Sequence, residues 1–254
     1  MKYRHNSNFY ILRPRPITWV VLVLIGIAGW GNAQYWVGYY SRVGVALSIA
    51  DYAYFSQRVS LIPPLVVPLM MFHHGLFHTG IYAKRNMYLY SSRGTYWRTL
   101  CRDAFIEALI GSMTIMVFSV LPSLVNAAPL SIINWGGIQS LFALMTGASL
   151  QADVSPVSVL GAYWAAACMQ ILAYLLLYGV LECLLQSFAA FIAVLLFNLA
   201  FNSPIRRLVW DWASLSYGCW SKTFGVPVLL AGWLAFIAIL YFLGHMTYRK
   251  VDVL

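Results

Sequence analysis

Three histidines lie close together in the sequence, and two of them have the spacing of a pair of metal ligands. The stretch HHGLFH contains His73, His74 and His78, and the four-residue spacing of His74 and His78 places both imidazoles on one face of a helix. Zinc sites use histidine pairs of this kind. A metal site needs further ligands, however, and no acidic residue lies near these histidines in the sequence. The pattern therefore favours hydrated polar rings at the end of a helix, and we expect no metal site.

Two other combinations of reactive side chains are present. Ser149, in the stretch GASL, and His245 are the residue types of a serine nucleophile and its base, but nothing identifies an oxyanion hole. Glu107 lies one helical turn beyond Asp103 and near Arg102, a pattern that favours a structural ion pair at the start of a helix. The sequence therefore predicts no catalytic set and no cofactor site in this chain.

The composition indicates an integral membrane protein. Of 254 residues, 61% are hydrophobic and only 9% are charged, which lies well outside the usual range of soluble domains. The apolar runs leave no room for a separate water-soluble domain, so residues 1–254 are expected to form a single transmembrane domain. A net charge of +9 in such a chain is typical of cytoplasmic loops beside anionic lipids, and we expect no nucleic-acid partner.

Six apolar segments are long enough to span a bilayer as helices, which predicts an all-α polytopic fold. They cover approximately residues 17–36, 61–82, 104–125, 157–178, 181–201 and 226–246. The first apolar segment continues through Trp36, which favours a retained helix over a cleavable signal peptide. Almost nothing separates the fourth and fifth segments, so they are expected to form a tight hairpin around Gly179 and Glu182.

The distribution of cationic residues predicts the orientation. Eleven of the sixteen Lys and Arg residues lie on the side that holds both termini, and five lie on the other side. Since cationic loops resist translocation, both termini are expected to be cytoplasmic in a cell membrane. The aromatic-rich outer connections, residues 126–156 and 202–225, are expected to lie at the interface or to re-enter the bilayer.

One cytoplasmic segment, residues 84–103, is unusually basic. It reads KRNMYLYSSRGTYWRTLCRD, holds five of the sixteen Lys and Arg residues, and interleaves them with Tyr and Trp. Its SSRGTYWRTL portion predicts a short amphipathic helix on the membrane face before the third span. Such a helix serves either as an interfacial anchor for anionic lipid headgroups or as a docking surface for another protein.

The whole arrangement resembles the permease subunits of ABC-2 type transporters. The resemblance rests on six spans, the basic aromatic segment before helix 3, the hairpin-like fourth and fifth helices, and the Trp-rich segment before helix 6. It implies that the amphipathic segment is a coupling helix that docks into an ATP-binding subunit. The docking residues that it implies are Arg93, Tyr96, Trp97 and Arg98, with Glu182 as a second contact.

The same resemblance implies a transport subunit rather than an enzyme. The sequence contains no GxxxxGK[ST] loop, so ATP and Mg would be bound by a separate ATPase chain. A second permease subunit and membrane lipids are the other implied partners. The implied substrate of export is an amphipathic peptide, an antimicrobial, a drug or a lipid-like molecule. A membrane assembly or scaffold protein and a self-sufficient intramembrane enzyme are the alternatives left open.

Overall fold

The chain folds into helices that pack side by side. A computed structural model describes residues 16–57, 62–78, 93–125, 131–147, 149, 154–201 and 215–250. Within these ranges all the regular structure is helical, which confirms the all-α prediction for this part of the chain. The helices are α1 (Pro16–Arg42), α2 (Ile49–Ser56), α3 (Val67–His78, preceded by a π-helical turn, Ile62–Val66), α4 (Arg93–Val125), α5 (Leu141–Thr146), α6 (Pro156–Leu184), α7 (Ser187–Phe201), α8 (Tyr217–Trp220) and α9 (Gly225–Lys250).

Four of these helices, α1, α4, α6 and α9, are long and apolar enough to cross a membrane. They correspond to the predicted first, third, fourth and sixth spans, and they agree with the prediction of a membrane protein. The predicted second and fifth spans correspond to the shorter helices α3 and α7. Residues 79–82, the end of the predicted second span, lie outside the described residues.

Side-chain contacts show how the long helices run. Thr18, near the start of α1, and Glu107, in the first half of α4, both contact His73. Trp97, near the start of α4, stacks on Tyr248, near the end of α9, and approaches Gly179, late in α6. Helices α1 and α4 therefore begin where α6 and α9 end. We call this end of the bundle the terminal face and the other end the opposite face.

Small residues allow α1 and α4 to approach closely. A Cβ atom on Gly29 of α1 would lie 3.2 Å from the carbonyl oxygen of Ile115 and 3.3 Å from Oγ of Ser119. A Cβ atom on Gly26 would lie 3.1 Å from the ring of Phe118. Helices in lipid associate through such close backbone approach, because apolar side chains gain little by leaving lipid for protein.

The predicted hairpin of the fourth and fifth spans turns later than the sequence indicates. Helix α6 continues through Gly179 and Glu182 to Leu184, and α7 begins at Ser187. Gly179 does not end the helix. It makes room for α4 instead, since its Cβ position lies 3.0 Å from Leu100 and 3.4 Å from Trp97. The connection between the two helices therefore consists of residues 185 and 186.

The structure does not confirm a separate coupling helix before the third span. Helix α4 is one continuous helix of 33 residues that begins at Arg93 and already includes the predicted docking positions 93–98. No break in the helix separates these positions from the membrane-spanning part of α4. Residues 84–92, the first part of the basic segment, lie outside the described residues.

Helix α2 enters the bundle from the opposite face, a feature that the sequence did not predict. Its last turn contacts Asn32 of α1, Met116 of α4 and Tyr163 of α6. These residues lie ten residues before Arg42, nine before Val125 and seven after Pro156, so α2 penetrates about 10–15 Å from the helix ends. The carbonyl of Phe55, at the C-terminal end of α2, accepts a hydrogen bond of 2.9 Å from Nδ2 of Asn32. A polar side chain thus satisfies a carbonyl group at the end of the inserted helix.

The close approach of α1 to α4 predicts a position-specific effect of side-chain size. Gly29→Leu should separate the two helices and lower the thermal unfolding midpoint of the detergent-purified protein, because overpacking a close contact costs about 1–3 kcal/mol. Gly31→Leu is the matched control, since no atom lies within 4 Å of its Cβ position. Equal midpoints for the two variants would contradict this packing.

Candidate functional site

A buried cluster of His73, His74 and Glu107 lies near the terminal face. Nδ1 of His74 lies 2.9 Å from Oε2 of Glu107, and Nδ1 of His73 lies 3.3 Å from Oε1 of the same carboxylate. Nε2 of His73 is 3.0 Å from Oγ1 of Thr18. The exposed fractions of His73, His74 and Glu107 are 7%, 0% and 6%, so the protein encloses all three side chains. The cluster joins helices α1, α3 and α4.

This cluster corrects two sequence-based predictions. The histidines do not remain hydrated at a helix end without an acidic neighbour, because Glu107 contacts both of them. Nor does Glu107 pair with Arg102. Nη2 of Arg102 lies 2.9 Å from Asp103, and its side chain is 44% exposed. Five residues along a helix turn a side chain by about 140°, so Glu107 faces α3 while Arg102 faces outward.

The surroundings of the cluster are apolar. On α3 it is flanked by the buried residues Met70 and Met71, and on α4 by Ala104 and Ala108. An ionised carboxylate in such surroundings is strongly unfavourable unless a cation compensates it. Imidazolium is the cation within hydrogen-bonding distance, so one protonated histidine makes the cluster electrically neutral.

The predicted docking residue Trp97 is fully buried. Its Nε1 donates a hydrogen bond of 3.1 Å to the carbonyl of Tyr241, and its ring stacks on Tyr248 with centroids 5.1 Å apart. The ring fills the space beside Gly244, where any Cβ atom would overlap it. In this conformation Trp97 wedges α4 between α6 and α9 and presents no surface to a partner.

The other predicted docking residues lie nearer the surface. Arg98 is exposed, while Tyr96 and Glu182 are half-buried. The ring of Tyr96 lies 5.7 Å from that of Tyr248, and Glu182 accepts a hydrogen bond of 2.7 Å from Oγ of Ser187. Arg93 is the first residue of α4, and its side chain lies outside the described part of the structure. Tyr96, Arg98 and Glu182 all belong to the terminal face.

A second buried carboxylate, Asp51, lies at the start of α2 near the opposite face. Its Oδ2 accepts hydrogen bonds from the backbone N–H and the hydroxyl of Ser48, at 2.6 and 2.8 Å. Its Oδ1 accepts hydrogen bonds from Nε1 of Trp135, at 3.0 Å, and from the hydroxyl of Tyr217, at 2.6 Å. We call these four residues the Asp51 staple. It ties α2 to the connection before α5 and to α8.

The backbone reinforces the Asp51 staple. The N–H groups of Ile49 and Ala50, in the first turn of α2, donate to the carbonyls of Ser131 and Ile132, both at 3.1 Å. Burial raises the pKa of Asp51, while the hydrogen bonds from Tyr217, Ser48 and Trp135 oppose that rise. Burial and the nearby Asp51 carboxyl raise the pKa of Tyr217 well above its ordinary value. The four donors occupy the acceptor positions of Asp51, so its role is structural.

The remaining candidates from the sequence are not brought together. Ser149 follows α5 at the opposite face, whereas His245 lies near the end of α9 at the terminal face. They form no nucleophile–base pair. The side chain of His78 lies outside the described residues. Within the residues that the structure describes, no group of three or more His, Cys, Asp or Glu side chains has an arrangement that could hold a metal ion.

Sequence patterns partly indicate the contacts of the two buried carboxylates, Asp51 and Glu107. Ser48 and Asp51 have the three-residue spacing of a helix-capping pair. His74 and Glu107 lie near the same predicted face on consecutive spans, which commonly neighbour each other. Neither signal identifies Trp135 or Tyr217 as partners, because these residues are more than 80 positions from Asp51.

Comparisons with known proteins do not assign the chain to a family. No family model matches it, and no curated protein and no solved structure is detectably similar to it.

The Asp51 staple predicts that one hydroxyl supports the opposite face. Tyr217→Phe removes the donor that lies 2.6 Å from Asp51 and should cost about 1–3 kcal/mol of folding stability, because the buried carboxyl group loses one of its four donors. The thermal unfolding midpoint of the purified protein measures this loss. Tyr35→Phe is the control, since Tyr35 is 66% exposed. If both variants have the unfolding midpoint of the wild-type protein, Tyr217 does not stabilise the Asp51 staple.

Proposed function

We propose that this chain is the membrane-spanning permease subunit of an ABC-2 type transporter. In this proposal it exports an amphipathic peptide, antimicrobial, drug or lipid-like substrate, and a separate ATP-binding subunit hydrolyses ATP at the terminal face. The chain supplies the transport path and binds neither ATP nor Mg.

The observation that carries the proposal is the convergence of distant segments at the terminal face. Tyr96 and Arg98 from α4 lie at the same end of the bundle as Glu182 from α6. Tyr248 of α9 links them, because its ring neighbours Tyr96 and its hydroxyl donates a hydrogen bond of 3.3 Å to the carbonyl of Gly179. Helix α3 ends and helix α4 begins at this same face. A partner seated there can contact all of these segments at once.

The proposal gives Trp97 a different role from the one expected of a docking anchor. Its indole contacts α6 and α9 inside the chain, so it fixes the start of α4 relative to both helices. Arg98, the next residue, is held at the surface by that wedge. A force applied to Arg98 would therefore be passed to α6 and α9 through the Trp97 side chain.

The proposal also includes a second permease subunit and membrane lipids as partners. Helix α9 presents exposed apolar side chains along its length, including Val228, Leu234, Ile239 and Phe242. Helix α1 does the same with Trp19, Val23 and Ile27. Lipid tails or the second subunit would cover these surfaces.

Association with an ATPase tests the proposed function. The tagged chain should co-purify from its native membranes with a protein that carries a GxxxxGK[ST] loop, identified by mass spectrometry. Arg98→Glu should weaken this association by about 2 kcal/mol, or roughly thirtyfold, if Arg98 is a principal contact. Binding of the purified ATPase to each variant in matched detergent measures the loss.

Lys222→Glu provides the matched control for this experiment, because Lys222 is also exposed but lies at the opposite face. It should leave the association unchanged. Equal binding by both variants would contradict docking at the terminal face. The absence of any P-loop ATPase would contradict the permease proposal and favour a membrane assembly protein.

The orientation can be tested separately. We propose that the terminal face, where α1 begins and α9 ends, is cytoplasmic in the cell membrane. In a chain whose four native cysteines are replaced, Gln186→Cys should resist a membrane-impermeant maleimide in intact cells, whereas Lys222→Cys should react. Both positions are exposed, so accessibility within the protein does not account for the difference. Labelling of Gln186→Cys but not of Lys222→Cys would reverse the orientation.

A further inference from the structure

The His73–Glu107–His74 cluster has a particular place in the chain. His73 and His74 lie on α3, which precedes residues 79–92, and Glu107 lies on α4, which follows them. The cluster therefore joins the two helical stems of this connection. Among the described residues, the cluster also provides the ionic contact between α3 and α4.

The charges around the cluster favour bound protons. The acidic groups that act on His74 are Glu107, Glu182 of α6 and Asp103 of α4. Asp103 is paired with Arg102, and Glu182 accepts a hydrogen bond from Ser187. From α1 the cluster meets the neutral hydroxyl of Thr18, and from α6 it meets Tyr178, whose ring centroid lies 6.4 Å from that of His74. Glu107 is therefore the acidic group within hydrogen-bonding distance of His74.

Counting charges decides how many protons the cluster holds. With both histidines neutral, an uncompensated carboxylate lies between helices, and with both protonated the cluster has a net positive charge. Either state places a net charge in surroundings of methionine and alanine, which is costly. One proton gives a neutral ion pair, and the shorter contact of His74, at 2.9 Å, favours this histidine as the imidazolium.

We propose that His73, His74 and Glu107 form a buried site for a single proton, and that this proton clamps α3 to α4 at the base of residues 79–92. While the proton is bound, the imidazolium of His74 and the carboxylate of Glu107 hold the two stems together. Loss of the proton leaves the carboxylate uncompensated and loosens α3 from α4. The clamp is a property of this chain alone, so it stands whether or not an ATPase docks at the terminal face.

Nitrogen-15 NMR of the protein labelled at its histidines tests the clamp. At about pH 8, an exposed histidine with a pKa of about 6.5 is almost entirely neutral. Wild-type protein should nevertheless retain the imidazolium resonances of one histidine, and the double variant His73→Gln/His74→Gln should remove them, because both histidines contact Glu107. Glu107→Gln should also remove them, because the neutral amide no longer requires a cation. Glu182→Gln is the control and should leave them in place.

Three results would overturn the proposal: five neutral histidines in the wild-type protein, an imidazolium that persists in Glu107→Gln, or one that is lost in Glu182→Gln instead. If Glu107→Gln does not fold, wild-type protein supplies an independent measure. Its thermal unfolding midpoint should fall as the pH rises through the range in which the imidazolium resonances disappear. A midpoint that does not change as the resonances disappear would show that the proton does not clamp the helices.

Discussion

The close packing of α4 against its neighbours is the constraint on which the rest of the bundle depends. Helix α4 contacts α1, α2, α3, α6 and α9, and half of the buried side chains along it are small. Ala104, Ala108, Gly111, Ser112 and Ser119 are among these small residues. In lipid, helices gain little from hiding apolar side chains, so stability comes from van der Waals contact between closely spaced backbones. Small side chains on α4 and on its partners make that spacing possible.

A second constraint follows from the first, because tightly packed helices exclude water. A charged group or a helix end inside the bundle is then costly unless it finds a partner within the chain. Glu107 is matched by two imidazoles, Asp51 by four donors, and the carbonyl of Phe55 by Asn32. Apart from the two donors of Ser48, each of these contacts joins two different helices, or a helix and a connection. The polar residues thus specify which helices meet, while the apolar residues allow them to pack.

The two faces of the bundle are stabilised in different ways. At the opposite face, the Asp51 staple and an aromatic cluster hold short helices together. The ring of Trp135 stacks on Phe142 at 5.2 Å and meets Tyr217 edge-on at 5.4 Å. Near the terminal face, two contacts connect α4 to its neighbours. Trp97 joins α4 to α6 and α9, and Glu107 joins α4 to α3. Both contacts lie on α4, whose first residue follows the connection from α3.

The sequence by itself determined the class of the protein and much of its secondary structure. Apolar length and charge scarcity predicted a helical membrane protein, because backbone hydrogen bonds in lipid must be satisfied within a helix. The predicted segments correspond to six observed helices, and four of these are long enough to span. One predicted helix end was wrong. Gly179 and Glu182 lie inside α6 because Trp97 and Leu100 occupy the space beside Gly179, and a contact with another helix is not visible in local sequence.

Only the tertiary structure decided what the polar and aromatic side chains do. The sequence predicts that Trp97 is an exposed residue of an amphipathic helix, whereas in the structure α6 and α9 enclose it. It predicts that His74 is hydrated, whereas in the structure His74 lies 2.9 Å from Glu107. The insertion of α2 depends on Asn32, Met116 and Tyr163, which come from three different helices. The physical reason is common to all of these cases. Burial and pairing depend on which helices are neighbours, and helix neighbours are set by the packing of the whole chain.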